Sequence, residues 1–157
     1  MIEAFTFFWN GVFSQWHLCT FVIDNVLYNC AEQFMMAEKA RLFGDDHTLQ
    51  DILTTHRPRE QKALGRQVKN FDPVKWDQNA KLIVYRGNMA KFEQNIRLYN
   101  ELMMTKGTIL VEASPYDKIW GIGLGAEDPR ALNRETWLGT NWLGEVLTTL
   151  REDIDHG

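Results

Sequence analysis

The chain has 157 residues, 45% of them hydrophobic, and a formal net charge of −4 from 17 Lys and Arg against 21 Asp and Glu. That is one domain's worth of chain with enough apolar content for a core, which excludes global disorder. The acidic balance argues against a dedicated duplex-DNA binder, whose footprint is basic.

The N-terminus is apolar and aromatic, but it lacks a basic leading segment. Glu3, Asn10 and Gln15 interrupt it, so it does not read as a secretory signal. No apolar run is long enough to cross a bilayer. Two cysteines, Cys19 and Cys30, do not make a disulfide framework and read as reduced thiols, so a cytoplasmic location is expected. The expectation is one domain over 1–157, with its core over about 5–152.

Two β-like runs open the chain, at 4–9 and 20–28. The second breaks at Asp24-Asn25, a hairpin turn signal. A helix is predicted over 31–43, with Asn29 as its cap and Gly44 as its stop. A second follows over 47–56 behind Asp46. A third starts with Pro58 in its first turn and covers 60–68, with Gly65 as a weak point. Asp72-Pro73 opens the longest helical region, where Trp76, Ala80, Ile83 and Val84 form an apolar stripe. Gly87 predicts a bend or break. Phe92, Ile96, Tyr99 and Met103 continue as the next helix, to Lys106-Gly107. A short buried strand is predicted over 108–113, a loop over 114–133, and a last helix after Asn141. The pattern is α+β with helices predominant and a few short strands.

Two constellations carry chemistry. Glu32, Met36 and Lys39 lie at i, i+4 and i+7, so a carboxylate and an ammonium share one helix face and can bracket a polar ligand. The competing reading is a capping box, Asn29 with Glu32 three residues on. The second constellation is Glu112-Ala113-Ser114-Pro115-Tyr116-Asp117, followed by Trp120-Gly121-Ile122-Gly123-Leu124-Gly125. A strand ends in a carboxylate and a loop presents another, where scaffolds place functional groups. The competing reading is a glycine-rich loop in which Asp117 caps a turn. Arg57, Arg59, Lys62, Arg66 and Lys69 form a basic stretch, mostly a solvated face. The four histidines and two cysteines show no metal-ligand spacing, and no serine nucleophile elbow or phosphate-binding glycine loop is present.

Taken together and in order, Glu32-x-Phe34-x-x-x-x-Lys39-Ala40, Leu64-Gly65-Arg66, Trp76, Glu112-Ala113-Ser114-Pro115-x-Asp117-x-x-Trp120-Gly121-Ile122-Gly123-Leu124, Asn141-x-Leu143-Gly144 and Leu150-Arg151 resemble the NADAR, or YbiA-like, family. The resemblance covers 7–151. It implies a mainly helical YbiA-like α+β fold and hydrolysis of an N-glycosidic bond between a base and ribose or ADP-ribose. ADP-ribosylated guanine and the ribosylaminopyrimidine phosphates of riboflavin synthesis are the substrate types, and a modified base within nucleic acid is included. It places catalysis on Glu32, Asp117 and Glu112. It places substrate binding on Trp76, Lys39, Arg66, Trp120, Gly121 and Asn141. No metal or other cofactor is implied. Two departures stand out: Ser14-Gln15-Trp16 replaces the Ser-Asn-Phe of many relatives, and 126–140 is longer than in compact bacterial members.

In such a reaction positive charge grows at the sugar carbon, and a carboxylate stabilises it and deprotonates water. Glu32 is assigned that role. Asp117 is assigned to orienting the ribose or assisting the departing base. The rival expectation is a non-catalytic reader of ADP-ribose or a nucleotide.

Overall fold

The computed structural model describes residues 3–156, with side chains described as far as 155. The described residues are mainly helical, with six α-helices and four short strands. They divide into two compact units, Gln15–Ile96 and Met1–Ser14 with Arg97–Gly157.

The Gln15–Ile96 unit begins with the predicted hairpin, β2 (Phe21–Ile23) and β3 (Val26–Tyr28), paired antiparallel. Asp24 and Asn25 both take positive φ, 52° and 65°, the backbone of a tight two-residue turn that these residue types tolerate. Phe21 and Tyr28, directly opposite each other, are buried and stack at 5.7 Å. Their rings meet Phe34 of α1 (Ala31–Leu42), Tyr28 edge-on at 5.1 Å. Burying one such ring stabilises the fold by roughly 2–3 kcal/mol.

Helix α1 is the centre of this unit and packs against α2 (Asp46–Thr54), α3 (Pro58–Gly65) and α4 (Pro73–Glu93). Two glycines allow the approach. A methyl on Gly65 would overlap the Met36 thioether, and one on Gly87 would sit 2.7 Å from the Phe34 ring. The expected break at Gly87 is therefore absent: α4 runs unbroken through it, because the glycine accommodates Phe34. Helix α3 also ends at Gly65, short of the expected 68.

The caps differ from expectation. Cys30 caps α1, its Sγ accepting from Gln33 N, and the Gln33 Oε1 accepts from Asn29 N at 2.8 Å. The Gln33 amide also donates to the Ile52 carbonyl, and Gln61 donates to Asn29 Oδ1 and the Thr55 carbonyl. These polar links tie the start of α1 to the end of α2 and to α3. Asp45, not Asp46, caps α2, accepting from Thr48 N and Oγ1 and from Lys69 N.

Lys91 is fully buried in α4. Burial pulls its ammonium down from 10.5 to about 8, while the Cys19 and Cys30 thiols act in the opposite sense. Burial pushes the Cys30 thiol up from 9.0 to about 12. Between pH 8 and 10.5 the unfolded chain holds the Lys91 proton more than the folded one, so stability rises with pH. Above pH 9 the unfolded chain loses the Cys30 proton first, so that contribution falls with pH. Folding stability by urea titration is expected to rise by about 1 kcal/mol from pH 7.5 to 9 and then level off. Lys91→Met should abolish the rise.

In the other unit, β1 (Phe5–Phe8) pairs in parallel with β4 (Ile109–Glu112), Phe8 opposite Glu112. Helix α5 (Ile96–Met103) enters this unit from Arg97, and α6 (Trp142–His156) packs on β4. Val111, Ile122, Leu124 and Ala131 form one buried cluster in it, with Phe5, Phe7, Ile109 and Trp137 packed against them. Buried Arg151 donates to the Thr105 and Thr108 carbonyls, closing the turn after α5.

Candidate active site

Glu32 sits in the first turn of α1 and is only 7% exposed. It is not the capping residue: Cys30 and Gln33 meet the helix start, and the Glu32 side chain is turned elsewhere. Its backbone N–H donates to the Gln15 carbonyl at 2.9 Å. Its Oε1 accepts the Trp16 indole N–H at 3.1 Å. Gln15 points inward, accepting from Asn88 Nδ2 at 2.7 Å, which fixes the 15–16 segment.

Two turns along α1, Lys39 is half-buried. Its ammonium lies 4.6 Å from the centre of the Phe71 ring and 5.6 Å from that of Trp76. Burial lowers its pKa; the Glu32 charge favours its charged form and Arg66 opposes it. Lys62 of α3 lies over the Trp16 ring at 5.8 Å. The unit thus gathers four of the expected residues, Glu32, Lys39, Arg66 and Trp76. Trp16 and Phe71, not among the expected residues, stand beside them in contact with Glu32 and Lys39. Trp16 had a signal, its departure from Ser-Asn-Phe. Phe71 had none beyond its place before Asp72-Pro73.

The remaining expected residues lie in the other unit. Asp117 Oδ1 accepts from the backbone N–H groups of Ile119 and Trp120, at 2.9 and 2.8 Å. Gly123 N donates to the Asp117 carbonyl. This is the turn-capping geometry. Glu112 ends β4, and Gly121 lies against it: a methyl there would stand 2.9 Å from the Glu112 carbonyl oxygen and 3.2 Å from its Oε2. Trp120 meets Trp142 edge-on at 5.5 Å. Asn141, fully buried at a positive φ of 53°, spends its amide on β4, accepting from Glu112 N and donating to the Leu110 carbonyl, both at 3.0 Å. Asn141 and Gly121 therefore support the strand end in this structure.

Asp117→Asn keeps the accepting oxygen of the turn and loses the charge, so turnover within about threefold of the parent separates the turn role from the expected catalytic one, while Asp117→Ala should lower stability by about 1 kcal/mol. Steady-state rates and urea midpoints check both.

A cavity of about 560 Å³ also opens in this unit, with Phe7, Trp9, Phe13, Glu101 and Glu127 among its walls; it contains none of the nine expected site residues. Among the described residues no helix is long and apolar enough to cross a membrane.

A family model described as NADAR domain matches residues 7–155. The chain belongs to the NADAR family. It is 43% identical over 147 residues to N-glycosidase R617 of Acanthamoeba polyphaga mimivirus, covering 90% of this chain and 86% of that protein. It is 34% identical over 110 residues to the chloroplastic riboflavin biosynthesis protein PYRR of Zea mays, covering 68% of this chain but only 16% of that one. The NMR structure of the E. coli protein YbiA shares the fold, with a TM-score of 0.80 at 24% identity, covering 99% of this chain and 88% of YbiA.

Proposed function

We propose that this chain, a hydrolase acting on N-glycosyl bonds, cleaves the bond between a planar base and a phosphate-bearing ribose, with Glu32 as the reacting carboxylate. The observation that carries the reading is the company Glu32 keeps: one buried carboxylate, aromatic rings of Trp16, Phe71 and Trp76, and the cations Lys39 and Arg66, all within one unit.

Each component suits one part of such a substrate. A carboxylate stabilises the cationic sugar carbon and removes a proton from the attacking water. Water adds to that carbon, the C–N bond breaks, and the base leaves with a proton. Aromatic faces stack on the base. Lys39, held over two rings and partly desolvated, and Arg66 match phosphate. The two substrate types that fit are an ADP-ribosylated guanine and a ribosylaminopyrimidine phosphate. N-glycosidase R617 supports the bond type, and PYRR directs attention to the second substrate type.

The test is release of free base from a panel: ADP-ribosylguanosine, the same adduct in a single-stranded oligonucleotide, a ribosylaminopyrimidine phosphate, and its dephosphorylated riboside. The expected result is turnover of at least one phosphate-bearing substrate and at least tenfold loss on removing the phosphate. Release from none of them, or equal rates with and without phosphate, overturns the reading.

A further inference from the structure

We infer that Trp16 is a positioning residue that holds the Glu32 carboxylate ionised and aimed, through its indole N–H. The inference rests on the role given to Glu32 above.

Three observations converge on it. The indole N–H donates to Glu32 Oε1 at 3.1 Å. The adjoining backbone makes a second tie, Glu32 N–H to the Gln15 carbonyl, so the 15–16 segment grips Glu32 at both ends of the residue. Trp16 is itself held, with Gln15 pinned by Asn88 and the Lys62 ammonium over the indole ring. Trp16 is 41% exposed, so core packing does not explain a tryptophan at this position.

A hydrogen bond from a neutral donor to a carboxylate favours its charged form, and a fixed donor also fixes the rotamer. An ionised Glu32 is what water activation and cation stabilisation need. Charged and titratable groups act on this site from several elements. Lys39 lies on the same helix, and the Cys30 thiol at the helix start feels the Glu32 charge. Lys62 of α3 reaches Trp16, and Arg66, just past the end of α3, acts on Lys39. A phenylalanine at 16, as in Ser-Asn-Phe, keeps a ring for Lys62 but has no N–H to give.

The experiment compares the parent, Trp16→Phe and Glu32→Gln. Trp16→Phe should lower kcat about tenfold with KM within about twofold, and move the acid limb of the kcat/KM profile, which reports the free enzyme, to higher pH. In ¹⁵N-labelled parent protein, the indole resonance that Trp16→Phe removes should titrate with the midpoint of that limb, and should stop titrating in Glu32→Gln. An acid limb unmoved by Trp16→Phe, together with an indole resonance that ignores pH, overturns the inference. If Glu32→Gln stays active, the catalytic role of Glu32 fails instead, while the indole titration still reports whether the bond governs the carboxylate. A thermal melt of Trp16→Phe within a few degrees of the parent shows that the rate loss is not unfolding.

Discussion

Glu32→Gln is expected to cut base release by about a thousandfold, with little change in stability. This substitution changes charge and keeps shape. Glutamine has the same length, and its Oε1 can still accept the Trp16 indole N–H. The backbone bond from residue 32 to the Gln15 carbonyl involves no side chain and stays. What disappears is the negative charge and the proton acceptor. A carboxylate buried to 7% exposure acts through a low local dielectric, so losing its charge is felt strongly at a developing sugar cation. Binding should survive better than turnover, because Phe71, Trp76 and Arg66 are untouched. Single-turnover base release and equilibrium binding, measured on the same variant, check the two halves. Turnover within tenfold of the parent would remove Glu32 from the reaction.

The second large effect is on folding. Gly144→Ala is expected to destabilise the protein by about 3 kcal/mol or more. A methyl at 144 would overlap the Leu110 carbonyl oxygen and both terminal atoms of the Asn141 amide. None of these can move cheaply. Leu110 is held in β4 by its pairing with Thr6. The Asn141 amide is committed to the same strand. The contrast with Gly65 is instructive. There the obstruction is the Met36 thioether, the end of a flexible side chain, so Gly65→Ala combined with Met36→Ala should fold better than Gly65→Ala alone. Chemical denaturation of the three variants ranks them, and an unchanged midpoint for Gly144→Ala would contradict the packing described here.

Local signals made much of the fold legible. Asp24-Asn25 specified the hairpin turn because few residues take positive φ cheaply. Asp72 and Pro73 marked the start of α4 because both act within one helical turn, and Gly44 marked the stop of α1 in the same way. What failed was long-range. Gly87 reads as a helix breaker in isolation, yet it serves a contact with a ring 53 positions earlier, a distance in sequence that no window samples. Cys30 displaced Asn29 as the cap because Asn29 and Gln33 were drawn into bonds with α2, α3 and the residues between them.

The candidate site divides the same way. The spacing of Glu32 and Lys39 placed them on one face, and their electrostatic coupling follows from it. Local pattern alone favoured a capping role for Glu32; the ordered family motifs singled it out for chemistry. The Trp16 bond to Glu32 joins a loop to a helix, and no spacing rule connects the two.

The side-chain amides on the strands have a consequence of their own. A two-stranded sheet is all edge, and an open edge is a template for pairing with another chain. On β2, Gln94 takes both backbone groups of Val22, donating to its carbonyl and accepting from its N–H. On β4, Asn141 takes the Leu110 carbonyl and the Glu112 N–H, Thr148 takes the Leu110 N–H, and Ile122 donates to the Glu112 carbonyl. The outer edges of β2 and β4 are terminated by groups the chain supplies itself. A visiting strand would have to displace bonds already made, so these two edges resist lateral growth and the fibrillar association that begins with it.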